Sequence, residues 1–173
     1  MRKCISIMLI IWILLSLCGC GQQNTQLQSP ANFYYPVNSK YRGEEERVIQ
    51  PELRESAGCE KNLLKFTELY ILGPQSERLV SIFPDDCYPV SVCHNGPVIT
   101  VYMSPGFSRL TGIDLTMACA CLSATLMDYA KANTVNICVK GTRLDDQRMI
   151  VMTMDSFSLV DENFLETSDT EPE

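Results

Sequence analysis

The apolar positions of this chain change their spacing several times, and each spacing predicts an element. Ile5 to Leu17 is an almost unbroken apolar run. Residues 21–32 are polar and without period, the pattern of a tether with a coil reach of roughly 17–21 Å. Phe33-Tyr34-Tyr35 before Pro36 predicts the start of a short strand, and Glu46 to Gln50 a second one. Glu60 to Leu72 predicts a helix with Leu63, Phe66 and Tyr70 on one face. Gly73-Pro74 stops it, because Gly accepts the left-handed cap and Pro cannot continue the turn. Gln75 to Asp86 reads as a connecting loop.

The next stretch has a period of two. Tyr88 to His94 and Pro97 to Met103 alternate apolar and polar residues around Asn95-Gly96, which predicts a β-hairpin with a type I′ turn. After Ser104-Pro105-Gly106 the period becomes helical again from Ile113 to Lys131. Leu115, Ala118, Cys119, Leu122, Leu126 and Tyr129 share one face, and Met117, Ala120, Cys121 and Ala124 make the other side apolar too. A helix apolar on most sides belongs in the interior. Val135 to Lys140, closed by Gly141, and Met149 to Met154 predict further strands. No repeat is visible, so residues 33–158 read as a single α+β domain, two helices packed on a mixed or antiparallel sheet that includes the Asn-Gly hairpin.

The apolar run near the start has a different meaning. It is about thirteen residues long, shorter than the roughly 20 that a membrane-spanning helix needs, and Arg2 and Lys3 precede it. This is the form of an export signal. It ends in Leu17-Cys18-Gly19-Cys20, which resembles the bacterial lipoprotein box, so residues 1–19 are expected to be removed and Cys20 to carry the lipid. Two acyl chains on one thiol hold a protein to a bilayer where one chain does not.

Charge and cysteine content refine this picture. Losing Arg2 and Lys3 takes the formal charge from −7 to −9, and six of the negatives lie between Asp161 and Glu173. Residues 159–173 therefore read as an acidic, solvated tail, and the lack of a basic face argues against nucleic acid. Six cysteines remain beyond Cys20: Cys59, Cys87, Cys93, Cys119, Cys121 and Cys138. An even number in an exported chain invites disulfides. Their settings inside strands and a helix favour free thiols, with Cys59 and Cys87 the pair to bridge if any does. Cys119 and Cys121, two apart on a helix, point to different sides.

In order and spacing, Tyr70-Ile-Leu-Gly-Pro74, Phe83-Pro84, the run Val90 to Ser104, Phe107, the long helix and Val135-Asn-Ile-Cys-Val-Lys-Gly141 resemble the GerMN domain. That domain occurs in bacterial sporulation and germination lipoproteins and in other exported lipoproteins. The match centres on residues 60–141, and Phe33 to Pro36 is similar to the family's opening strand. The resemblance implies a fold similar to ring-building modules of envelope machines and a role in protein assembly at the membrane, without catalysis. This chain departs from the tandem sporulation protein in having one copy, and its Asp85 to Tyr88 loop is short.

Catalytic chemistry is sparse. His94 is the sole histidine, and its neighbour Cys93 should point to the other face of a strand, away from it. Asp85-Asp86 and Asp145-Asp146 read as solvated turn formers. Gly141-Thr142-Arg143 lacks the spacing of a phosphate loop, and Ser104 lacks the flanking glycines of a nucleophile elbow. No cofactor or metal set is expected. The expected partners are the membrane, through the lipid, and an envelope or spore-assembly protein, with self-association a further option. The alternative is a small-ligand- or peptidoglycan-binding lipoprotein using Phe33 to Tyr41 as an exposed aromatic stretch.

Overall fold

The structure, a computed structural model, describes residues 29–43, 47–139 and 149–156. The export signal, Cys20, Gly141 to Arg143, Asp145, Asp146 and the acidic tail lie outside the described residues.

Strand β1 (Pro30–Pro36) pairs antiparallel with β2 (Ile49–Glu55). β1 thus begins at Pro30, inside the segment read as tether, and β2 lies later than the sequence suggests. Tyr34 faces Pro51 across this ladder. The pairing costs Tyr34 no ladder bond, because both of its backbone groups turn to helices instead. Its N–H donates to Thr125 Oγ1 at 2.9 Å, and its carbonyl accepts from the Tyr70 hydroxyl at 3.0 Å.

Those partners belong to helices α1 (Leu63–Ile71) and α2 (Gly112–Ala130). α1 starts later than Glu60 because the Asn62 side chain accepts from Lys65 N–H, the bond of an N-cap. Gly73 follows the helix at φ +91°, the conformation anticipated from Gly-Pro. Phe66 and Tyr70 of α1 are fully buried against Phe33 and Tyr35 of β1, and Phe66 also stacks on Tyr129 of α2.

Strands β3 (Pro89–Asn95), β4 (Val98–Met103), β5 (Thr134–Val139) and β6 (Met149–Thr153) form a second sheet in that order. β4 and β5 run parallel, joined through α2, and the outer pairs are antiparallel. Ile99, Val101 and Met103 face Val135, Ile137 and Val139 across the parallel pair, and all six are buried. α2 packs on β1, β5 and β6 while α1 packs on β3, so one face of this sheet is covered. Two helices on mixed strands were expected; the division of the strands into two sheets was not.

The hairpin forms where alternation predicts it, with a different turn. Asn95 pairs with Val98, which leaves Gly96 and Pro97 as the two turn residues. Gly96 has φ +58° and Asn95 has no positive φ. A positive φ first and a ring-fixed negative φ second is the pattern of type II′, not I′.

α2 ends at Lys131, held left-handed at φ 55°. Its last turn is tied to β1: Asp128 accepts from Asn32 Nδ2 at 2.9 Å and from Lys131 Nζ at 2.9 Å. Burial alone would raise the Asp128 pKa, but the bonds from Asn32 and Lys131 bring it below the usual value. A carboxyl lowered by folding contributes stability above its unfolded pKa and loses it as pH falls through its folded one. Urea midpoints are therefore expected to drop as pH falls below about 4, and less steeply in Asp128→Asn than in wild type.

Candidate functional site

Where the start of β1, the loop before α1, the end of α2 and β3 meet, they leave an open cleft of about 600 Å³. Ser29, Glu60, Lys61, Val92, His94 and Tyr129 are among its walls. Glu60 is pinned there: its own backbone N–H, the Gly58 N–H at 3.1 Å and the Ser29 hydroxyl at 3.0 Å hold its carboxyl below the usual range. His94 stands exposed on the rim, and no carboxylate pairs with it among the described residues.

The arrangement does not bring Cys93 and His94 together. The ladder puts Val92 and His94 opposite the buried Val101 and Ile99, on the covered face, while Cys93 opposite Thr100 lies on the other. The expectation that Cys93 and His94 diverge is met. Asp85 and Asp86 do not line the cleft; Asp86 pairs with Arg109 at the surface. Ser104 is buried in a structural role, its Oγ donating to the Asp86 carbonyl at 2.9 Å and accepting from Tyr88 N–H at 3.1 Å. Among the described residues no group of three His, Cys, Asp or Glu could hold a metal.

All six described cysteines are free thiols, Cys59 and Cys87 included. Burial pushes Cys87 and Cys121 up to about 12 and Cys119 up to about 11, and raises Cys59 as well. A protonated, covered thiol reacts slowly because the thiolate is the nucleophile. Brief iodoacetamide treatment of the native protein at pH 8 should therefore label exposed Cys93 first, with Cys87, Cys119 and Cys121 protected until urea is added. Peptide mass mapping reads the order.

The aromatic stretch from Phe33 to Tyr41 does not form an exposed surface. Phe33, Tyr35 and Val37 are 0%, 1% and 1% exposed, because alternation turns every second residue of β1 into the core. Among the described residues the uncovered surface lies elsewhere, on the outer face of the four-stranded sheet. One row across it reads Cys93, Thr100, Asn136, Val151, the next Ser91, Tyr102, Cys138, Met149, and the third Asn95, Val98, Thr134, Thr153. None of these residues is charged, in a chain that is 20% charged. The polar half of each strand's alternation carried this signal, but only the ladder registers assemble it into a surface.

No family model matches the sequence, and no curated protein matches it. Among solved structures the chain is similar to the tandem GerMN domains of the sporulation protein GerM from Bacillus subtilis, with a TM-score of 0.53 and 18% identity over 72% of this chain. The fold is GerMN-like. The similarity covers 43% of the Bacillus chain, so this protein spans less than half of that tandem structure. A protein from Clostridium perfringens described as a lipoprotein is also similar, with a TM-score of 0.46 and 17% identity over 73% of this chain and 89% of that one. No helix among the described residues is long and apolar enough to cross a membrane.

Proposed function

We propose that this chain is a non-enzymatic, lipid-tethered module that binds another protein at the outer face of the cytoplasmic membrane. The observation that carries the reading is the sequence Leu17-Cys18-Gly19-Cys20 behind a short charged start and apolar run. The GerMN-like fold supports it, as does the uncharged outer face of the sheet, since the cores of protein interfaces are depleted of charged residues. The ten residues from Cys20 to Ser29, nine steps along the backbone, reach at most roughly 30 Å. That tether keeps the Ser29 end of the domain, with its cleft, close to the bilayer. The sporulation role of the Bacillus protein makes an envelope or spore-assembly protein the partner to look for.

Photo-crosslinking in intact cells tests the reading. A photoreactive residue in place of Thr100 or Asn136, in the middle of the outer face, should capture a discrete envelope protein or a second copy. The same residue in place of Glu77, exposed on the far loop, should not. Equal, diffuse capture from both places overturns the proposal. The cleft favours one other reading, a small-ligand- or peptidoglycan-binding lipoprotein. Retention on purified cell wall, lost in Lys61→Ala and His94→Ala, would support it.

A further inference from the structure

Strand β3 ends the four-stranded sheet, with β4 on one side and, among the described residues, no strand on the other. Its main-chain groups can be assigned from the turn. Asn95 and Val98 flank the two-residue turn and share its closing hydrogen bond, so Asn95, Cys93 and Ser91 direct their amides to β4. Val92 and His94 direct theirs outward, where no hydrogen bond takes them among the described residues. Edge strands ordinarily carry a charge or an interior proline that prevents further pairing. Here Pro89–Asn95 contains no charged residue, and its proline is the first residue. The ladder shifts between Pro89 and Ser91, which leaves Ser91 to Asn95 as the regular part.

We propose that β3 pairs antiparallel with β3 of a second copy about a two-fold axis at Cys93. Three observations point to that occupant. The regular part is centred on Cys93, so the register using all of it sets Cys93 opposite Cys93, with Val92 opposite His94 on either side. In that register the outward amides of Val92 and His94 meet each other and form both hydrogen-bonded pairs. A two-fold axis also brings identical side chains together, which like charges would oppose; this strand and the sheet face beside it carry none. Pairing continues the sheet from one copy into the next and joins the two uncharged faces.

Five paired residues bury less than the roughly 800 Å² per partner of a stable interface. The dimer is therefore weak in dilute solution and forms where copies are concentrated, as on a membrane. In that respect it rests on the tether proposed above.

The two Cys93 residues should be a close, non-hydrogen-bonded pair with Cα atoms about 4.5 Å apart, within the range a disulfide spans. Membranes from cells expressing the full chain are treated with copper(II)–phenanthroline. The copper takes two electrons from two thiols as one S–S bond forms and two protons leave. A dimer on a non-reducing gel is expected in wild type and in Cys138→Ser, and none in Cys93→Ser. His94→Pro removes an outward donor without touching the β3–β4 ladder, and should lower the yield at least about tenfold. Limited proteolysis of each variant checks that it is folded. Absence of a Cys93-dependent dimer in membranes that hold the protein overturns the pairing, as does an equal yield in folded His94→Pro. Failure of the tether shows separately, as the protein leaving the membrane fraction.

Discussion

Phe66→Ala is expected to lower the unfolding free energy by about 3–5 kcal/mol, a large part of the 5–15 kcal/mol that holds an ordinary domain together. Phe66 is fully buried and joins three elements. Its ring stacks on Tyr129 of α2 with centroids 3.6 Å apart, lies 4.9 Å from Phe33 of β1, and belongs itself to α1. Truncation removes apolar contact from all three at once, and two rings on rigid elements cannot collapse into the space. Urea denaturation of the purified protein, followed by tyrosine fluorescence or circular dichroism, measures the change. Phe66→Leu should cost roughly half as much, because it fills more of the same volume. A loss under about 1 kcal/mol for the alanine variant would mean that the helices are not held through this ring.

Arg54→Ala should come close to it, at about 3 kcal/mol. Arg54 is a charged residue only 7% exposed, on a strand whose neighbours lead into the aromatic core. Its Nη1 donates to the Gly73 carbonyl at 2.8 Å and to the Tyr35 hydroxyl at 3.2 Å, and lies 3.6 Å from Glu52 Oε2. The guanidinium also covers the face of Phe33 at 4.7 Å. Removing it takes a donor from the carbonyl at the end of α1 and leaves the Glu52 carboxylate, itself largely covered, without its nearest cation. Glu52 retains bonds from Gln75 and Ser76 N–H, which limits the loss. Arg54→Met keeps the apolar stem against Phe33 and loses only the polar part. Its midpoint in the same urea series should fall between wild type and Arg54→Ala; a Met variant as unstable as the alanine one would assign the effect to charge alone.

Arg54 also shows what was not legible in the sequence. The sequence pattern places the second strand over Glu46 to Gln50, yet β2 runs on to Glu55, because its pairing with β1 turns the Pro51 position away from any required ladder bond. That is a tertiary fact: it needs Thr125 and Tyr70, dozens of residues away, to take the backbone of Tyr34. The aromatic run from Phe33 hid its own alternation, since Tyr34 and Tyr35 are chemically alike while one is half-buried and the other enclosed. The β3–β4 hairpin and the two helices were legible because their signals are local, a period of two around a glycine turn and a period near 3.6, closed by a glycine stop in α1. The turn type was not, because Asn95-Gly96 and Gly96-Pro97 both suit a two-residue turn and only the pairing register chooses between them. The parallel β4–β5 contact could not be read from either strand alone. With it went the outer face of the sheet, whose lack of charge emerges only when four separate strands are set side by side.

The candidate site divides the same way. That Cys93 and His94 point apart follows from strand geometry and needed no coordinates. The cleft beside His94 did, since Ser29, Lys61 and Tyr129 come from three distant segments. Ser29, the first described residue, opens onto the same cleft as Val92 and His94 of β3.

Everything proposed for this protein depends on where it is held, and the N-terminus of the mature chain tests that most directly. Intact mass and N-terminal peptide mapping of protein extracted from the membrane fraction should show cleavage between Gly19 and Cys20 and a diacylglyceryl thioether on Cys20. Cys20→Ala should remain unprocessed. A mature chain that begins elsewhere, or one that begins at Cys20 with an unmodified thiol and is recovered in the soluble fraction, would contradict the account.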